Sequence, residues 1–259
     1  MASIEGIRIQ NYRALKDVKI GRTIENREGD PLPRLMTVIG TNGSGKSSLM
    51  DALGFLGDCL RVGVEEASDR AHRSGFDRLR TRGQKGPIQF EVYYRQDKKS
   101  SPFSYSLHID AENNRPFVAY ERLRQRRKGL KQGQPFSFLE LKNGRGYAWA
   151  GQATARQEGN EKIEVRLEDR QRLGITTLGN LAAHPRIVAF REFLEGWYLS
   201  YFVPGDARGM PMAGAQKHLN REGSNLANYL EFMERQYKKR FADVLKQISK
   251  KIPGIHDIK

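Results

Sequence analysis

Gly40, Gly45, Lys46 and Ser47 stand at the spacing G-x-x-x-x-G-K-[ST] within GTNGSGKSS, the pattern of a phosphate-binding loop. The residue types suit that chemistry. Glycine lets the backbone approach a phosphate closely, and N–H groups turned inward at the start of a helix attract negative charge. Lys46 would set an ammonium against the β- and γ-phosphates, and the Ser47 hydroxyl is positioned for Mg2+. Such a loop needs a strand before it and a helix after it. Leu35 to Ile39 is a short apolar run that predicts a buried strand, and Leu49, Leu53, Leu56 and Leu60 recur at helical spacing.

The rest of the chain bounds what this loop serves. With 259 residues and 38% hydrophobic content, the chain can bury the core of one large domain or two lobes. Its 45 Lys and Arg against 30 Asp and Glu give a net charge of +15, which points to a polyanion such as nucleic acid as a partner. No run approaches the ~18 apolar residues of a membrane span, and MASIEGIRIQNYR has no apolar signal core, so the expectation is a cytoplasmic chain without a membrane partner. A single cysteine, Cys59, excludes a disulfide framework and a thiol metal site. His72, His108, His184, His218 and His256 are scattered without metal-ligand spacing.

Period-two alternation predicts strands over Ile4 to Gln10 and Val18 to Ile20. Six further short strands follow, at 87–94, 103–109, 116–123, 136–141, 146–150 and 162–167. Their separators carry Asn113-Asn114, Lys142-Asn143-Gly144 and Gly159-Asn160, so the connections read as antiparallel hairpins. Between the loop's helix and these strands, Arg70 to Gly86 holds six Arg or Lys and three glycines, an expected exposed basic connection. Arg122 to Lys131 is the densest basic run. After Pro185 come a helix, a strand over Tyr198 to Val203, a Gly- and Met-rich loop, and a long helix from an N-cap at Ser224 with a break near Lys238. Three parts are expected: a nucleotide-binding part over 1–86, an antiparallel β part over 87–184 and a helical part over 185–259.

The loop together with IRIQNYRALKDVKI resembles the ATP-binding heads of the RecF, SMC and OLD group, which share the ABC-type ATPase fold. HPRIVAFREFLEGWYLSYFVP and EGSNLANYLEFMERQYKKRFADVLKQISKKIPGI resemble the middle of bacterial predicted ATPases of that group. The resemblance implies an α/β P-loop NTPase fold, ABC/SMC-head-like, with an inserted antiparallel β-sheet and a C-terminal helical segment. It implies ATP and Mg2+ as cofactors, held by Gly40, Thr41, Asn42, Gly43, Ser44, Gly45, Lys46, Ser47 and Ser48, with Lys46 catalytic and Ser47 on the metal. Arg13 matches the arginine after the first strand that lies near the nucleotide in such heads.

An ABC-type head also needs a serine-glycine signature, an apolar strand ending in Asp-Glu and a switch histidine, and the sequence shows none of them. The look-alikes LSYFVPGD at 199–206 and AGAQK at 213–217 depart from the patterns, the first through Pro204 and Gly205 and the second through its lack of serine. The chain is therefore expected to stop before the signature and the acidic strand, to bind ATP, and to turn it over negligibly by itself. Dimerisation is expected only where a signature-bearing half is supplied. The expected function is coupling of ATP binding and hydrolysis to assembly on DNA or on a partner protein. Two alternatives stand beside it: a nucleotide-gated DNA- or protein-binding module without turnover, and a small-molecule phosphotransferase.

Overall fold

The computed structural model describes residues 3–23, 29–33, 35–70, 72–97, 99–125, 135–150, 162–181, 183–196, 205–209, 214, 216–220 and 222–252. Two compact units divide the chain, Met1–Trp197 and Tyr198–Lys259. The strand expected over 198–203 and residues 126–131 of the basic run lie outside the described residues.

The first unit is built on one antiparallel sheet of eight strands: β1 (Ser3–Tyr12), β2 (Leu15–Gly21), β3 (Ile88–Arg95), β4 (Phe103–Glu112), β5 (Arg115–Gln125), β6 (Phe136–Lys142), β7 (Arg145–Trp149) and β8 (Lys162–Arg166). Their order is β2-β1-β3-β4-β5-β6-β7-β8. The sheet expected as an insert is thus continuous with the first two strands, because β1 pairs with β2 on one side and β3 on the other. Alternation decides which face is inside. Ile7, Val92, Tyr105, Leu123, Leu139 and Ala148 are successive register partners and all are buried, whereas the neighbouring row Arg8, Glu91, Ser106, Arg122, Glu140 and Tyr147 is polar. Asn113 and Asn114, at φ 51° and 63°, join β4 to β5, and Asn143-Gly144, at φ 49° and 75°, joins β6 to β7. Both pairs hold the positive φ that a two-residue turn needs to match the strand twist.

The helices of this unit are α1 (Lys46–Val62), α2 (Val64–Asp69), α3 (Phe76–Leu79), α4 (Gly174–Leu178) and α5 (Pro185–Glu195). Phe55 of α1 packs against Tyr12 and Phe90, and Phe190 of α5 against Tyr94, Phe103 and Tyr105, which covers the apolar face. One carboxylate lies inside that core. Glu121 is fully buried and accepts from the Tyr105 hydroxyl and from the backbone N–H groups of Gly174 and Ile175, fixing the start of α4. Burial pushes its pKa up, and those three donors oppose the shift.

In the second unit the long helix appears as α6 (Leu226–Gln236) and α7 (Lys238–Lys251). The break falls at Tyr237, at φ −133° and ψ 46°, next to the expected Lys238. Its N-cap is Asn225 and not Ser224. Among the described residues, no helix is long and apolar enough to cross a membrane.

Two expectations near the loop are overturned. Leu35 to Ile39 forms no strand, and Leu35, Met36 and Ile39 are 86%, 44% and 87% exposed. A strand exists only where a neighbour completes its backbone hydrogen bonds, and among the described residues no strand of the sheet pairs with 35–39. Arg70 to Gly86 is not a simple exposed connection: it contains α3, buries Phe76 and Leu79, and carries Arg73 into the core at 1% exposure.

Candidate functional site

The phosphate loop ends where α1 begins. Gly45 is the N-cap of that helix in the left-handed conformation, at φ 96°, with no side chain capping the first N–H groups and no acid in the first turn. That end of a 17-residue helix therefore presents donors and positive partial charge outward. Gly43 also has positive φ, at 80°. A methyl on Gly40 would lie 2.8 Å from Ser44 Oγ, so the loop brings these two residues together, and a side chain at position 40 would make the serine hydroxyl turn aside. The same test on Gly45 finds Leu15 at 3.3 Å and Ala14 at 3.6 Å: the loop rests on the turn between β1 and β2.

Lys46 Nζ donates to the carbonyls of Gly40 and Thr41, each at 2.7 Å, which folds its ammonium across the loop. Thr41, Asn42, Gly43, Ser44 and Ser47 are exposed, and Ser48 is half-buried. The Ser47 hydroxyl belongs to the second residue of the helix. These groups fit a magnesium-bound triphosphate: loop amides and a helix N-terminus for the phosphates, one ammonium for their charge and one hydroxyl for the cation.

Arg13 sits in the supporting turn at φ 48°, a conformation uncommon for a residue with a long side chain. Its N–H donates to the Leu79 carbonyl at 2.6 Å, and its Nη2 to the His72 carbonyl at 2.9 Å. Its Nη1 lies 3.1 Å from Asp51 Oδ2. The described contacts of its guanidinium are thus with α1 and the segment after α2.

Asp51 was not legible as a site residue, yet it gathers more partners than any group near the loop. Tyr12 Oη donates to Oδ2 at 2.7 Å, Arg73 Nε to Oδ1 at 3.1 Å, and His72 Nε2 lies 3.3 Å from Oδ1. Arg73 Nη1 continues to Asp58 Oδ2 at 2.7 Å, and Asp58 is also met by Arg70 and Arg61. Burial together with the Asp51 charge pushes the Tyr12 hydroxyl well above the usual phenol range. Burial opposes the Arg73 charge, but Asp51, Tyr12 and Asp58 outweigh it and hold the guanidinium firmly protonated. The available signal was two acids seven apart on α1, on the same side as Phe55 and otherwise among apolar residues.

Two further acids, Glu140 and Asp206, belong to other elements than α1. Glu140 is on the polar face of the sheet, where it accepts from Tyr120 and Tyr147 and pairs with Arg122. Asp206 begins a short 3-10 turn in the second unit. Among the described residues, no group of three or more His, Cys, Asp or Glu is placed to hold a metal ion. Cys59 is buried, and burial pushes its thiol far above the ordinary range.

No curated protein matches the chain. Residues 3–253 match the family described as AAA ATPase domain, so the match takes in the loop, the sheet and the last helix together. The chain belongs to the AAA ATPase domain family and is, by that membership, an ATPase.

Proposed function

We propose that the chain works as an ATP-binding head of the RecF/SMC/OLD-like, ABC-type kind, coupling ATP binding and hydrolysis to assembly with a protein partner. The observation that carries it is the start of α1, where an uncapped helix end, a left-handed Gly45 and the folded Lys46 ammonium converge on one loop. The triphosphate, when bound, would supply the electrophilic phosphorus and magnesium a neutralising charge. Lys46 would exchange its carbonyl partners for phosphate oxygens, the loop amides would hold the developing charge, and Ser47 would hold the cation. Assembly is supported by the exposed run of Leu35, Met36 and Ile39 directly before the loop, an apolar surface suited to cover by another polypeptide. The carboxylates that position water are, in this reading, contributed along with that cover.

Titration calorimetry with Mg·ATP tests the reading. Lys46→Ala removes a charge-assisted contact and should weaken binding about 10- to 100-fold. Equal affinities in the two proteins would sink the assignment. Residues 1–259 alone should release phosphate negligibly, and Lys46-dependent turnover by them would show that the acids are already present. The +15 charge supports DNA as a second partner class, held through its phosphates with slight sequence preference.

A further inference from the structure

The cluster around Asp51 carries more positive than negative charge. Two carboxylates, Asp51 and Asp58, face four guanidiniums, those of Arg13, Arg61, Arg70 and Arg73. The four do not stand equally. Arg73 is fully enclosed, with its side chain 0% exposed and bonded to both acids, and it is the cation that Asp51 needs. Arg13 is 28% exposed at the side chain and shares Oδ2 with the Tyr12 hydroxyl. Were Arg13 to turn away, Asp51 would keep Arg73, Tyr12 and His72. Arg13 is also the member closest in sequence to the loop's support, because Ala14 and Leu15 are the residues that meet Gly45.

We propose that Asp51 is a positioning residue that competes with the nucleotide's phosphates for the Arg13 guanidinium, so that it sets nucleotide affinity through Arg13 without touching the nucleotide. The inference rests on the reading of the loop as an ATP site. The Asp51 carboxylate and a phosphate are alternative anions for one cation whose backbone is already fixed, by its left-handed φ and its bond to Leu79. Tyr12 tunes that competition: its hydroxyl occupies part of Oδ2, so its loss would leave that oxygen wholly to Arg13.

The test is uptake of a fluorescent ATP analogue with Mg2+ by seven proteins: wild type, Lys46→Ala, Asp51→Asn, Tyr12→Phe, Arg13→Ala, and Asp51→Asn and Tyr12→Phe each combined with Arg13→Ala. A partly exposed ion pair contributes at most about fivefold in affinity, so Asp51→Asn should bind about two- to fivefold tighter than wild type. Tyr12→Phe should bind about twofold more weakly, its ring still packed on Phe55 and Phe90. Both changes should vanish in the Arg13→Ala background. If Asp51 only supports the fold, the two variants would shift affinity in the same direction, or their effects would survive without Arg13, and either result overturns the proposal. Should Asp51→Asn fail to fold, the sign of Tyr12→Phe and its dependence on Arg13 decide alone. Uptake that ignores Lys46→Ala would instead overturn the nucleotide reading itself, a separate and recognisable outcome.

Discussion

Replacing Arg73 by Met should be the most damaging single change in the cluster beneath the loop. Its guanidinium donates to Asp51 at 3.1 Å, to Asp58 at 2.7 Å and to the Ala67 carbonyl at 2.9 Å, and lies 5.2 Å from the centre of the Phe55 ring. Truncating one member of a buried ion pair costs about 3–5 kcal/mol because the other charge stays behind. Here both carboxylates retain partners, Asp51 through Tyr12, Arg13 and His72 and Asp58 through Arg61 and Arg70, and Met restores apolar packing on Phe55. Those compensations place the loss at the lower end, about 3 kcal/mol. In a domain of this size the melting temperature should fall by about 6–12 °C. Urea unfolding would read the loss as a lower midpoint with an unchanged slope. Arg70→Met is the control: its side chain is 40% exposed, and the change should cost less than about 1 kcal/mol. If the two variants lose the same amount, or Arg73→Met stays within about 1 kcal/mol of wild type, the buried pairs do not hold the cluster together.

Glu121→Ala strands the Tyr105 hydroxyl and two backbone N–H groups in the core and should cost about 3 kcal/mol or more, with Glu121→Gln milder; melts in which both match wild type would refute this. Burial holds the His108 imidazole below its ordinary pKa, so the fold accepts the neutral ring. The unfolded chain takes up that proton as pH falls through about 6.5 and the folded chain only lower, so stability should fall with pH across that window. Urea midpoints at about pH 7.5 and about pH 5.5 should therefore converge more closely in His108→Gln than in wild type, and equal drops would refute the assignment. Binding to duplex DNA, measured from low to high salt, should weaken steeply; absence of binding at low salt would remove nucleic acid from the proposed partners.

Local chemistry made several parts of this protein legible in sequence. Alternation told the buried row of the sheet from the polar one because a strand's side chains point to opposite faces whatever its neighbours are. Asn113-Asn114 and Asn143-Gly144 announced their turns because few residues tolerate positive φ. Gly40, Gly45 and Lys46 announced the loop because close backbone approach and a fixed ammonium leave little choice of residue. The tertiary structure decided the rest. Leu35 to Ile39 has the composition of a buried strand, yet composition cannot supply a neighbour, and among the described residues no strand pairs with it. Arg73 reads as one more basic residue in a polar stretch, and only the fold brings two acids of α1 to it. Asp51 is an acid on a helix until Tyr12, Arg13, His72 and Arg73 arrive from separate segments, since a buried charge is stabilised by partners that sequence spacing does not reveal.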